Sequence, residues 1–141
     1  GDGGSYAIGL QSLLHAVRRD EPITVIVVNN SVYAMTGGQT APTTLQNQKT
    51  DTHPDGYSEP TLHGPELLKN VAHKDAFLAR TAVNEPKQLQ DFLAKAIETQ
   101  KAGHFSLVEV LSFCPTNWKT WGQGTIHYLD NLKNEFKTGT I

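Results

Sequence analysis

Apolar residues recur along this chain with a helical period in some stretches and as short continuous runs in others. Ala7, Leu10, Leu14 and Val17, with Ile8 and Leu13 beside them, fall at helical spacing and predict the apolar face of a helix packed on a sheet. Ser5 is the expected N-cap, Arg18-Arg19 suit the last turn, and Glu21-Pro22 ends the element. Ile23 to Val28 is β-branched and almost unbroken in its apolar character, as in a strand buried on both faces of a parallel sheet. A further strand leading into Asp2 is expected upstream, so that strand, helix and strand form a right-handed crossover.

The alternation continues downstream. Pro65 suits a first helical position, and Leu67, Leu68, Val71 and Ala72 give a short apolar face. Phe77 to Val83 has strand character with Arg80 as its polar member. Leu89, Phe92, Leu93, Ala96 and Ile97 mark the longest helix, opened by Asn84-Glu85-Pro86 and closed by Gly103. Phe105 to Leu111 reads as another buried strand. Glu109 inside it either faces outward at an edge or pairs with a base such as Arg80. The expected fold is α/β, a mostly parallel sheet with helices on both faces.

Two stretches break the pattern. Residues 37–62 have no sustained period and are rich in Thr, Gln, Gly and Pro, which marks either a functional loop or an exposed linker. Lys49, Asp51, His53 and Asp55 there offer polar contacts but no recognisable catalytic set. The tail, residues 118–141, carries Trp118, Trp121, Tyr128 and Phe136, with Ile126, Leu129, Leu132 and Phe136 near a helical face. A subunit contact is slightly favoured for it over core packing.

The candidate chemistry sits at two turns. Asp2 in Gly1-Asp2-Gly3-Gly4 and Asn30 in Asn29-Asn30 lie 28 positions apart, with a helix and a strand between. Both then stand at carboxyl ends of neighbouring strands, where open α/β sheets bind ligands. Gly3-Gly4 allows close backbone approach, and the helix N-terminus adds donors for an anion. A carboxylate, a carboxamide and a nearby carbonyl suit a hard cation such as Mg²⁺ that also holds a diphosphate. A plain turn followed by a loop cap is the competing reading.

Composition narrows the partners. A net charge of -2 gives no reason to expect nucleic acid or an anionic membrane, and no apolar run approaches a bilayer span. One cysteine excludes a disulfide framework and fits a reducing cytoplasm. Hydrophobic content of 38% and a start without Met fit the C-terminal part of a longer polypeptide. The histidines show no i, i+4 pair and no nucleophilic triad, and read as structural or exposed.

Gly-Asp-Gly followed after a helix and a strand by Asn-Asn resembles the thiamine-diphosphate motif. More narrowly, the run from Asn29 to Thr44, which reads NNSVYAMTGGQTAPTT, is similar to the β subunit of the 2-oxoacid:ferredoxin oxidoreductases. The resemblance implies the C-terminal portion of one thiamine-diphosphate-binding domain over residues 1–141. It implies Mg²⁺ on Asp2, Asn30 and the Val32 carbonyl, with Gly3, Gly4, Ala34, Met35 and Thr36 against the cofactor. Many relatives have Asp at the place of Gly4 and Gly at the place of Ala34. The loop 37–62 is implied to pack on a partner subunit and border the substrate. Cys114, in Cys114-Pro115-Thr116, is implied as a conditional ligand of a 4Fe–4S cluster whose other cysteines lie upstream.

The implied activity is oxidative decarboxylation of a 2-oxoacid to an acyl-CoA, with electrons passed to ferredoxin. The implied partners are an α subunit, γ and δ subunits where the assembly has them, ferredoxin, a 2-oxoacid and coenzyme A. The activating glutamate comes from another domain, so the chain alone holds half a site. Two alternatives stay open: a fragment of a non-oxidative thiamine-diphosphate decarboxylase or synthase, and a nucleotide- or phosphate-binding α/β module. Against the second, Gly1 to Gly4 lacks both P-loop and dinucleotide glycine spacing.

Overall fold

A computed structural model describes all residues from Gly1 to Ile141. In chain order the elements are a π-helical turn (Gly4–Ile8), α1 (Leu10–Arg18), β1 (Thr24–Asn29), β2 (Val32–Tyr33), a 3₁₀ turn (Ala34–Thr36) and β3 (Gln39–Thr40). There follow α2 (Gly64–Lys69), β4 (Phe77–Ala82), α3 (Pro86–Lys101), β5 (Ser106–Leu111), α4 (Pro115–Trp118), α5 (Gln123–Glu135) and β6 (Gly139–Thr140). The main sheet has the order β1-β5-β4-β6. Strands β1, β5 and β4 are parallel and β6 is antiparallel to β4, so the expected mostly parallel sheet is present.

Helices cover both faces. On one, Tyr6, Leu13, Val17 and Leu68 pack with Val27, Leu78 and Leu107. On the other, Ala96 of α3 packs on Val108 and Val110, with Phe77, Leu89, Phe92 and Leu93 around them. Leu129, Leu132 and Phe136 bury against Ala82 and Leu111. The tail therefore finishes the core through these residues, against the slight preference for a subunit contact; Ile126 and Trp121 alone of its marked apolar positions stay largely exposed, at 48% and 74%. No helix of the chain is long and apolar enough to cross a membrane.

Two local expectations are corrected, and one left open is decided. Ser5 is not an N-cap: helical bonding has already begun, with the Ser5 N–H donating to the Gly1 carbonyl at 2.9 Å, and Ser5 lies within the π-helical turn. The run Ile23–Val28 is not buried on both faces. Val27 is buried, whereas Ile26 and Val28 are 54% and 46% exposed. The cause is topological: β1 is an edge strand, and α3 centres its packing on β4 and β5. Glu109, finally, does not face outward. It lies fully buried on a strand flanked on both sides and pairs with Arg80, its neighbour in register.

The π-helical turn has a steric signature. Its closing bond runs from the Gly9 N–H to the Gly4 carbonyl at 2.8 Å, one residue longer than an α-helical bond. A Cβ built on Gly9 would stand 2.5 Å from that same oxygen. Gly9→Ala is thus expected to destabilise the fold by roughly 1–3 kcal/mol, as overpacking does. Thermal unfolding of the variant beside the parent chain checks this.

Candidate functional site

The carboxyl ends of the parallel strands carry the site. Strand β1 delivers Asn29 and Asn30 to the loop above it, and the helical segment beginning at Asp2 lies beside that loop. The Asn30 N–H donates to Asp2 Oδ1 at 3.4 Å, and the Thr43 hydroxyl donates to Asp2 Oδ2. Asp2 itself is 2% exposed. The sequence places the two turns at strand ends; the fold brings their side chains into one cluster.

Ser31 makes the loop reverse. Its backbone is left-handed, with φ 60°, a conformation that costs energy for a residue with a Cβ. Neighbouring groups hold it there. Asn29 Oδ1 accepts the Ser31 N–H at 3.0 Å, and the Thr44 hydroxyl donates to the Ser31 carbonyl at 2.7 Å. The reversal brings the Val32 carbonyl back toward Asn30. The Asn30 carboxamide oxygen then lies 2.7 Å from the Val32 carbonyl oxygen and 3.3 Å from Asp2 Oδ1. That oxygen also accepts the Val32 N–H at 3.3 Å, and the opposite amide orientation would donate to the Val32 carbonyl and to Asp2 Oδ1. Neighbouring ligands of an octahedral Mg²⁺ are about 3 Å apart, given metal–oxygen bonds of roughly 2.1 Å. The Asn30 oxygen lies from each of the other two at about the spacing such a cation would need.

Gly3, Gly4, Ala34, Met35 and Thr36 meet at the same place. With Gly1, Asp2, Asn30, Val32 and Tyr33 they line one cavity of about 170 Å³. Gly3 is required by packing: a Cβ there would collide with the Tyr33 ring, whose hydroxyl donates to the Gly3 carbonyl at 3.0 Å. A Cβ on Gly4 would meet nothing within 4 Å, so sterics leave room for a side chain there. A larger cavity of about 530 Å³ adjoins through Tyr33, and Gln39, Thr40, His53 and Tyr57 of the 37–62 loop help to line it.

Several functional neighbours escape sequence reasoning. Thr43 is 41 positions from the Asp2 carboxylate it bonds, and no periodicity links them. The Asn30 carbonyl accepts the Trp118 indole N–H at 2.8 Å and the Tyr128 hydroxyl at 3.5 Å; the two rings stack. Asn117 donates to the Ala34 carbonyl at 3.2 Å. Cys114 precedes these residues on α4, partly exposed, and is not gathered with any second thiol. Beneath the loop, Glu109 accepts from Asn29 Nδ2 at 3.1 Å and from Arg80 Nε. The other end of the Arg80 guanidinium grips both oxygens of Glu66 at 2.6 Å.

Burial sets the charges. It pushes the Asp2 carboxyl above its ordinary range, against the lowering pull of Thr43 and of nearby backbone N–H groups. Burial likewise pushes Glu109 up, with Arg80 opposing. For Arg80, burial works against its charge, but its bonds to Glu66 and the charge of Glu109 outweigh that and raise its pKa. Without a cation, the raised Asp2 value makes folding favour the protonated acid. Stability at Asp2 then falls as pH rises from the ordinary carboxylate range through the raised value. A bound cation reverses the preference, and cation affinity is lost as pH falls through that value. Thr43→Val removes the one side-chain donor to Asp2 and is expected to weaken cation binding by roughly 1–3 kcal/mol. It also moves the acid limb of binding to higher pH. Titrations of Mg²⁺ across pH on the assembled protein measure both effects.

The chain has relatives among known proteins. The family described as thiamine pyrophosphate enzyme, C-terminal TPP binding domain, matches residues 1–110. Ketoisovalerate oxidoreductase subunit VorA of Methanothermobacter thermautotrophicus is 39% identical over 145 residues, covering 96% of this chain and 30% of that protein. 2-Oxoglutarate synthase subunit KorB of Archaeoglobus fulgidus is 38% identical, covering 97% of this chain and 48% of that one. Pyruvate synthase subunit PorB of Thermotoga maritima is 31% identical, covering 89% and 39%. The chain thus spans roughly a third to a half of the length of these relatives. The fold is similar to the solved structure of 2-oxoglutarate:ferredoxin oxidoreductase from Magnetococcus marinus, with a TM-score of 0.78 at 22% identity, over 93% of this chain and 42% of that one. The chain belongs to the thiamine pyrophosphate enzymes, through their C-terminal TPP-binding domain, in the line of the 2-oxoacid:ferredoxin oxidoreductase subunits.

Proposed function

We propose that the chain holds Mg²⁺–thiamine diphosphate in an enzyme that oxidatively decarboxylates a 2-oxoacid to an acyl-CoA and passes the electrons to ferredoxin. The observation that carries the reading is the meeting of the Asp2, Asn30 and Val32 oxygens in one cavity with Gly3, Gly4, Ala34, Met35 and Thr36. In this reading Asp2, Asn30 and the Val32 carbonyl bind the metal. Gly3 and Gly4 offer backbone donors to the diphosphate, and Ala34, Met35 and Thr36 line its far side. The bound cofactor supplies the carbon nucleophile and the electron sink that loss of CO₂ demands. The chain's own residues place it and neutralise its charge.

The substrate is left open by the relatives themselves, whose names span ketoisovalerate, 2-oxoglutarate and pyruvate. The larger cavity beside Tyr33 and the 37–62 loop is the substrate side in this reading. Met35 lines the cofactor cavity and is almost fully exposed, in keeping with a site completed by an α subunit. Cys114 sits on the segment that bonds to the Asn30 and Ala34 carbonyls. It is the chain's single cysteine, so a 4Fe–4S cluster here draws its other thiolates from elsewhere in the assembly.

The test is activity of the assembled enzyme, purified with its co-expressed partners. The reading predicts ferredoxin reduction that depends on a 2-oxoacid, coenzyme A and thiamine diphosphate, and no activity from this chain alone. Decarboxylation without ferredoxin reduction would move the assignment to the non-oxidative thiamine enzymes. Retention of a nucleotide in place of thiamine diphosphate would overturn it.

A further inference from the structure

The pole of the sheet opposite the cofactor site gathers a second set of ligating side chains. Asp20 follows α1, His73 precedes β4, and His104 precedes β5, so the loops at the amino ends of the strands bring together residues more than 80 positions apart. His104 Nδ1 lies 2.6 Å from Asp20 Oδ2, and His73 Nδ1 lies 3.4 Å from the same oxygen. One ligating atom from each residue falls within 4.8 Å of the others. The two imidazole rings are stacked, 7° from parallel, with both Nδ1 atoms turned to one carboxylate.

Asp20 is fixed in place. Its backbone is left-handed, with φ 54°, and its Oδ1 accepts the Phe105 N–H at 2.9 Å. That leaves Oδ2 for the imidazoles. Asp75 Oδ2 stands 3.5 Å from His73 Nδ1, within reach as a fourth ligand. Ligands of a tetrahedral Zn²⁺ are about 3.4 Å apart, from metal–ligand bonds of roughly 2.1 Å. The His73–Asp20 separation already matches. The His104–Asp20 separation needs to open by less than an ångström, as the metal replaces the shared proton.

We propose that Asp20, His73 and His104 form a site for a borderline divalent cation of the Zn²⁺ type, which ties together three loops at the amino-terminal pole. Two neutral imidazoles and a carboxylate favour such a metal over Mg²⁺ or Ca²⁺, which take oxygen ligands. The site is separate from the cofactor cavity and does not depend on the function proposed above. The histidines are only partly buried, so replacing them leaves the core intact.

The test uses the assembled enzyme, dialysed against buffered Zn²⁺ and analysed for zinc per chain, as wild type and as the His73→Ala/His104→Ala double variant. Wild type is expected to retain one zinc more per chain than the variant, and excess Mg²⁺ is expected not to displace it. Zn²⁺ should raise the unfolding temperature of wild type and leave that of the double variant unchanged. Each single variant should bind zinc roughly tenfold or more weakly. Equal zinc content in wild type and double variant, or displacement by Mg²⁺, overturns the proposal.

Discussion

Asp2→Ala is expected to abolish Mg²⁺-dependent thiamine diphosphate binding in the assembled enzyme, with a loss of more than roughly hundredfold in affinity. The size follows from what the carboxylate does. It is the one formal charge among the three oxygens, and it is 2% exposed, so water cannot stand in for it cheaply. Residues that merely orient a metal ligand cost roughly 10–100-fold on removal, and a charged ligand exceeds them. The alanine variant is expected to fold: it leaves the Thr43 hydroxyl without its acceptor but opens no cavity in the apolar clusters. Calorimetry gives the affinity, and circular dichroism separates loss of binding from loss of fold. Unchanged thiamine diphosphate affinity would falsify the metal assignment of Asp2.

Arg80→Met destabilises the chain by roughly 3–5 kcal/mol, the cost of stranding a buried charge. Arg80 and Glu109 are both 0% exposed and lie side by side in register on adjacent strands. Taking away the guanidinium leaves Glu109 without its counter-charge among apolar clusters and frees Glu66 to solvent. The damage also travels upward. Glu109 holds Asn29 Nδ2, and Asn29 Oδ1 holds the Ser31 N–H that fixes the left-handed turn ahead of Val32. Cofactor affinity should therefore fall with stability. The double replacement Arg80→Met with Glu109→Leu removes both charges and should recover most of the stability, because an apolar pair of similar volume is no worse than a buried ion pair. It should not recover cofactor affinity in full, since Asn29 loses its acceptor. Denaturant unfolding read beside cofactor titration tests the split.

The elements with a strong period were legible in the residues. Leu89 to Ala96 and Phe105 to Leu111 fold as read, because each carries its own burial pattern, while Ile97 at the end of the same face stays 47% exposed. The edge position of β1 was not, since a continuous apolar run looks the same whether or not a helix covers both its faces. The Ser5 cap failed for a related reason: the helix starts before the serine, and only the bonds to Gly1 reveal it. Glu109 left two readings, and the choice rests on strand order, which local pattern does not contain.

The site divides in the same way. Asp2, Gly3, Gly4, Asn30, Val32, Ala34, Met35 and Thr36 share one cavity; Asp2 and Asn30 stand out by residue type and spacing, while Val32, Ala34, Met35 and Thr36 are implied only by the resemblance. Thr43, Tyr33, Trp118 and Tyr128 support that cavity through contacts made across the fold, and no spacing announces them. The same holds for His73 and His104, which look isolated in the chain and stack in space.

The most direct measurement is calorimetric titration of thiamine diphosphate into the cofactor-free assembled enzyme, with Mg²⁺ and with a chelator in its place. If Asp2, Asn30 and the Val32 carbonyl hold a cation that carries the diphosphate, binding is tight with Mg²⁺ and falls by more than roughly hundredfold without a divalent metal. Equal affinity in the two titrations would contradict it.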